Sequence, residues 1–310
     1  MKVLITGGAG YIGTELVIKL NNCEDVSEII VYDNLWKNNY NLFLHSKIKK
    51  GKVKFVKGEL LDSRKLDKIL QGVDIVYHLA ARVAARLVNA SHHLYEQINN
   101  WGTAELVYAV EKHNVKKFIY ASSISVYGDS DEIIDENTIP NPKTYYGASK
   151  LRGEEHVERL MSKIDTHILR IGNVYGYGTS MRFDTIINKF MFDAEFKGRI
   201  KILGNGNQKR AFINIDRLVE LLSEIKTPGL KSGIYNTVEY NLSVNDMVEI
   251  VKNMIPETEM LFVNQHLKLR NIEVLPDKRI INTSKISDKI FNSQLENFKI
   301  SLENSFKIYN

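Results

Sequence analysis

The stretch that most constrains this chain is its start, "KVLITGGAGYIGTELVIKL", residues 2–20. Residues 2–6 read as a strand, a glycine cluster follows at once, and residues 11–20 carry apolar positions at helical spacing. Gly8-x-Gly10-x-x-Gly13 lies in that cluster. Glycines between a strand and a helix permit a tight turn, let backbone approach a pyrophosphate and let the two elements pack closely. The helix then offers its open N–H groups and partial positive charge to the phosphates. Gly7, Gly10, Tyr11, Ile12 and Gly13 are the cofactor-facing residues expected here.

Short apolar runs continue at 28–33, 52–56, 74–80, 116–122 and 165–171, with helical patterns at 62–71, 94–113 and 147–162. Nearly continuous apolar strands alternating with helices predict an α/β fold, a Rossmann-type doubly wound parallel sheet covered on both faces. After residue 172 the regularity weakens. Helical patterns at 184–197, 215–225, 243–254 and 295–307 predict a smaller C-terminal substrate-binding lobe. The expected division is a dinucleotide-binding domain over 1–172, with 214–238 returning to it, and a lobe from 173–213 and 239–310.

Asp33 closes the second strand, twenty residues after Gly13. A carboxylate there accepts hydrogen bonds from ribose hydroxyls and repels a 2′-phosphate. NAD(H) is the expected cofactor, with NADP(H) the alternative. Asn34 beside it, Glu59 and Leu60 after the third strand, and Leu79, Ala80 and Ala81 after the fourth lie where such sheets bind dinucleotides. His78 reads as a structural histidine.

Composition narrows the classes. A formal charge of +5 over 310 residues is modest, and the basic run at 47–57 alternates with Val53, Phe55 and Val56, so no nucleic-acid partner is expected. Cys23 is the one cysteine, which rules out an internal disulfide, and no paired Cys/His spacing suggests a metal. The N-terminus enters a strand directly, without a signal-peptide pattern, and no apolar stretch approaches membrane length. A cytoplasmic protein with no membrane partner is expected.

The chemical candidate is "TYYGASK", residues 144–150. Lys150 follows Tyr146 by four residues, one helical turn on the same face. A neighbouring ammonium favours the phenolate, so Tyr146 can exchange a proton with a substrate hydroxyl. Tyr145 has no such lysine. Tyr108 and Lys112 repeat the spacing inside a helix and read as packing. Tyr146 has company in "SSISVYG" (122–128), where Ser123 can bond the same oxygen.

Together "TGGAGYIG", "HLAA", "NNWGT", "SSISVYG", "YYGASK", "RIGNVYG" and "GNGNQKRAFINID" resemble the extended short-chain dehydrogenase/reductase family of NAD-dependent nucleotide-sugar epimerases, dehydratases and reductases. The resemblance implies a Ser123, Tyr146, Lys150 triad, with Tyr146 and Lys150 also touching the cofactor, Asn99 near the cofactor, and nucleotide-sugar contacts from Asn173 and Arg210. It also implies a homodimer and a place in deoxysugar and O-antigen biosynthesis. Departures shape the expected chemistry. Dehydratases of the family look like Ser-Thr-Asp-Glu-Val-Tyr-Gly at the serine motif, and here Ile124 and Ser125 replace the acidic pair. The Arg-x-Gly-Asp pattern of UDP-hexose 4-epimerases is altered to "LRNIEVLPDKR" (269–279), where Arg279, or Arg270, is the candidate to hold a phosphate. The expectation is therefore a 4-ketoreductase acting with NAD(P)H on a nucleotide-linked 4-keto-6-deoxyhexose. The alternative is a nucleotide-sugar 4-epimerase with the same triad, and a third reading is a non-catalytic NAD-binding protein.

Overall fold

The computed structural model describes residues 1–44, 48, 51–83, 92–264 and 269–281. The predicted helix at 295–307 lies outside the described residues. Seven parallel strands form the central sheet: β1 (Lys2–Thr6), β2 (Glu28–Asp33), β3 (Val53–Lys57), β4 (Ile75–His78), β5 (Lys117–Ser123), β7 (Asp165–Ile171) and β11 (Gly233–Thr237). Their spatial order is β3-β2-β1-β4-β5-β7-β11. The chain therefore runs outward from β1 to β3, then restarts on the other side of β1 with β4. A crevice opens at that reversal, beyond the carboxyl ends of β1 and β4, where doubly wound sheets bind ligands.

The strand sequences explain the layering. Side chains alternate between faces along a strand. Val3, Ile5, Ile29 and Val31 pack on one face against Leu16, Val17 and Leu20 of α1 (Tyr11–Asn21) and Leu218, Leu221 and Leu222 of α8 (Ile215–Ile225). Leu4, Ile30 and Tyr32 point to the other face. There they meet Leu66 of α3 (Ser63–Ile69), Leu106, Val107 and Val110 of α5 (Gly102–Glu111), and Val157 of α6 (Tyr145–Glu158). Two short helices, α2 (Asn41–Leu44) and α4 (His92–Tyr95), flank the crevice side, and a π-helical turn over Glu96–Trp101 joins α4 to α5. Among the described residues no helix is long and apolar enough to cross a membrane.

The remaining strands form three small sheets: β6 (Ile133–Ile134) with β14 (Glu273–Val274), β8 (Asn173–Tyr175) and β12 (Tyr240–Ser243) on either side of β10 (Lys209–Asn214), and β9 (Arg199–Leu203) with β13 (Glu259–Val263). A separate apolar cluster holds the second and third of these to α7 (Ile186–Lys197) and α9 (Val244–Met254), through Phe190, Met191, Ile200, Ile202, Phe212, Met247 and Val248. The β14–β6 pairing matters most for the site. It draws residues 269–274 back over the loop that follows β5, with Asn271 bonding the Ser130 main chain in both directions at 3.0 and 3.2 Å.

Candidate active site

The glycine turn is built on Gly7, Gly10 and Gly13. Gly7 has φ +71°, and a Cβ there would stand 2.6 Å from the Ala80 nitrogen, so only glycine lets the ends of β1 and β4 come this close. The Gly10 N–H donates to the Gly7 carbonyl at 3.0 Å. A Cβ on Gly13 would lie 2.4 Å from that same carbonyl. Gly8 instead backs onto Val31, so the working spacing is Gly-x-x-Gly-x-x-Gly rather than one starting at Gly8. Gly10 caps α1 with no side-chain hydrogen bond and no acidic residue follows in the first turn, which suits an anion at this helix start.

Asp33 sits at the end of β2. Its carboxylate accepts the Ala9 N–H at 3.0 Å and the Leu35 N–H at 2.8 Å, which fixes it beside the glycine turn. Asn34 donates to both Glu59 oxygens at 3.1 and 3.2 Å. These residues line one cleft of about 1150 Å³, together with Gly7, Gly10, Tyr11, Ile12, Gly13, Leu60, Leu79, Ala80 and Ala81. That volume exceeds the upper range of about 1000 Å³ for a single small-ligand pocket. The same cleft reaches Ser123, Tyr146, Asn173 and Arg210.

Ser123 ends β5 and starts a 3₁₀ turn over Ile124–Tyr127, accepting the Ser125 N–H at 3.2 Å and donating to the Ser125 hydroxyl at 3.1 Å. Thr144 caps α6 through the Gly147 N–H at 3.0 Å, which places Tyr146 in the first helical turn. A Cβ on Gly147 would lie 2.4 Å from the Ser125 carbonyl, so this helix start is pressed against the serine loop. Ser123 and Tyr146 face the same cleft. Burial raises the Tyr146 phenol above its ordinary value, against the Ser123 hydroxyl and the positive charges of Arg182 and Arg270, which lower it.

Lys150 is 1% exposed and stands one turn behind Tyr146, its ammonium 4.1 Å from the centre of the Tyr120 ring. Burial brings its pKa down from 10.5 to about 7, while Glu154 a further turn on pulls the other way. Glu154 is itself held by Arg170 at 2.7 and 3.2 Å and by the Ser122 hydroxyl. Lys150 thus lies directly behind the cleft wall.

Two other expected residues sit off the cleft. Asn99 is fully buried in the π turn. Its amide accepts the Arg82 N–H at 2.7 Å and donates to the Arg82 carbonyl and Ser149 hydroxyl, each at 2.9 Å. It fixes the segment after β4 from behind. Arg279 is drawn away altogether: it pairs with Asp277, bonds the Ile234 carbonyl and stacks 4.3 Å over Tyr235. Arg270 enters the cleft instead, carried there by β14, and donates to the Ser125 hydroxyl at 3.0 Å and the Ile124 carbonyl at 3.2 Å. Asn173 lines the cleft while its amide donates to the Ala211 carbonyl at 2.9 Å. His78 lies buried between Thr6 and Thr103, at 2.7 and 2.9 Å. Sequence reasoning passed over Trp36, Arg82 and Arg182, which also line the cleft. Each sits in a loop without periodicity, and no motif spacing marks it.

A parallel sheet reversing at β1, a glycine turn over a helix start and a carboxylate at the end of β2 define a Rossmann-type dinucleotide-binding enzyme. Residues 3–237 match the family described as "NAD dependent epimerase/dehydratase family", and the chain belongs to that family. It is 32% identical to a dTDP-D-glucose 4,6-dehydratase of Mus musculus over 83% of this chain and 74% of that protein. It is 31% identical to an uncharacterized UDP-glucose epimerase, YtcB of Bacillus subtilis, over 73% of this chain and 72% of that protein. Among solved structures, the UDP-glucuronic acid 4-epimerase of Bacillus cereus in complex with NAD superposes with a TM-score of 0.79 at 25% identity. That match covers 96% of this chain and 94% of the other.

Proposed function

We propose that this enzyme performs NAD(H)-dependent redox chemistry at C4 of a nucleotide-diphosphate sugar without eliminating water. One arrangement carries the reading: Tyr146 and Ser123 together on the cleft wall, with Lys150 one turn behind. The glycine turn fits the dinucleotide, because Gly10 starts α1 with no side-chain cap and no acidic residue in the first turn, and Asp33 is held beside it. NAD(H), when bound, supplies the acceptor and donor of hydride at C4. Tyr146 takes the C4 hydroxyl proton as that carbon becomes a ketone and returns it when the hydroxyl re-forms. Ser123 orients the oxygen, and Lys150 favours the phenolate. Asn173, Arg210 and Arg270 are the candidates for the sugar nucleotide's diphosphate, to which a guanidinium is well matched.

The positions of the dehydratases' acidic pair support a reaction without water loss. Ile124 is 2% exposed and apolar, and Ser125 is bonded by Arg270. Two readings share the remaining chemistry. We favour 4-epimerisation, since the relatives above include an uncharacterized UDP-glucose epimerase and a UDP-glucuronic acid 4-epimerase. A 4-ketoreductase uses the same residues with net consumption of NADH. The deciding experiment offers purified protein a panel of nucleotide hexoses and hexuronates, and separately NADH with nucleotide-linked 4-ketosugars. An inverted C4 product without net NADH loss establishes the epimerase. Stoichiometric NADH loss with a ketosugar establishes the reductase, and neither outcome with any sugar nucleotide overturns C4 chemistry.

A further inference from the structure

The loops after β2 and β4 lie on opposite sides of β1, yet their side chains meet. The Arg82 guanidinium carbon sits 3.4 Å from the centre of the Trp36 ring. Since β1 lies between β2 and β4, that contact must cross in front of the glycine turn that follows β1. Both residues line the cleft that contains Gly7, Gly10 and Gly13. We propose that Trp36 and Arg82 form a clasp over the dinucleotide's pyrophosphate, with Arg82 supplying positive charge to it and Trp36 holding the guanidinium in place.

The two ends of the clasp are anchored independently. Arg82 is fixed through its own main chain, whose N–H and C=O are both taken by the buried Asn99 amide. This gives Asn99 a positioning role toward the cofactor without touching the cleft. The Trp36 loop is held in a compact form by left-handed Leu35 (φ 57°) and Asn38 (φ 52°). The Leu35 N–H is bonded to Asp33 at 2.8 Å, the Trp36 N–H to Asn34 at 3.0 Å, and the Asn39 amide to the Ala9 carbonyl at 2.9 Å. Left-handed backbone at a leucine is costly and persists only where the surroundings impose it. An indole 57% exposed to solvent gains little from burial here. Its geometry is explained by the stacked guanidinium, which is weakly hydrated and pairs well with both aromatic faces and phosphates.

The inference rests on the NAD(H) reading, and its test separates the two. Trp36 and Trp101 are the only tryptophans, so Trp101→Phe leaves Trp36 as the sole indole reporter. In that protein, saturating NAD⁺ changes the Trp36 emission. By stopped flow, bound NADH chased with excess NAD⁺ leaves Trp36→Ala and Arg82→Ala on the order of tenfold faster than wild type. The double variant matches the single ones, because one pair is broken in each. Arg82→Lys, which keeps the charge and loses the planar stack, falls between. Thermal unfolding of the apo variants stays at the wild-type midpoint, since Trp36 is exposed. Wild-type release rates in both single variants, multiplied effects in the double variant, or unchanged Trp36 emission overturn the clasp while leaving the cofactor assignment intact. Failure of the wild-type protein to bind NADH overturns both.

Discussion

Lys150 and Tyr120 face each other inside the protein, the ammonium 4.1 Å from the ring centre, in a place with almost no solvent. Taking an ammonium out of water disfavours its charged form, and the pKa of Lys150 accordingly falls from 10.5 to about 7. The sign of the stability effect follows. An unfolded lysine stays protonated up to about 10.4, so between pH 7 and that value the unfolded state binds more protons and stability rises with pH. Below pH 7 both states carry the proton and the folded state bears the whole desolvation cost. Lys150→Met should therefore stabilise the protein by roughly 2–4 kcal/mol at pH 6, with the gain shrinking toward pH 10. Urea unfolding at pH 6 and 9.5 measures this directly, and equal gains at both values would show that the ammonium is not the source.

On the proposed function, Tyr146 and Ser123 divide the work on one oxygen. Tyr146→Phe removes the proton carrier and keeps the ring, so turnover should fall by about 10³-fold while NADH binding stays nearly intact. Ser123→Ala removes one hydrogen bond to a charge-bearing oxygen and should cost about 10- to 100-fold in kcat. Steady-state kinetics with a fluorescence titration of NADH check both. Substantial turnover in Tyr146→Phe would remove Tyr146 from the chemistry.

Gly7 and Gly72 separate backbone strain from the cofactor cradle. Both have φ near +70°, at +71° and +70°. A Cβ on Gly7 strikes the Ala80 backbone at 2.6 Å, whereas one on Gly72 meets nothing within 4 Å. Gly72→Ala should cost about 1 kcal/mol of stability and leave NADH binding unchanged. Gly7→Ala should cost more and abolish NADH binding, because the β1–β4 crevice must open to admit the methyl group. Calorimetry of NADH binding to the two variants distinguishes them.

Much of this architecture could be read from the sequence for physical reasons. Strands buried on both faces, such as "KVLIT" and "EIIVYD", announce themselves as apolar runs, and the glycines beside β1 mark a place where backbone touches backbone. Tyr146 and Ser123 stand out as candidates because helical spacing and a strand end are local, and both line the cleft. What stayed hidden depends on contacts distant in the chain. Asn99 looks like a cofactor ligand in "NNWGT", yet the π turn points its amide at Arg82. Glycine spacing alone could not tell Gly7 from Gly8, since the distinction lies in Ala80 on one side and Val31 on the other. The choice between Arg270 and Arg279 depended on a two-residue strand pairing across more than a hundred residues.

That last choice makes a sharp prediction. Arg270 lines the cleft, with its guanidinium bonded to Ser125 and its charge felt at Tyr146. Burial lowers its pKa from the ordinary arginine value, the mark of a cation held in a poorly solvated place. An anion arriving there gains a charge-assisted bond that water screens weakly. Arg279 is committed to Asp277 and the Ile234 carbonyl at a site off the cleft. Arg270→Ala should raise KM for the sugar nucleotide on the order of tenfold or more, and Arg279→Ala should leave KM unchanged while lowering the unfolding midpoint through the stranded Asp277. Measuring KM and the midpoint for both variants decides the matter. A raised KM in Arg279→Ala alone would return the phosphate contact to Arg279.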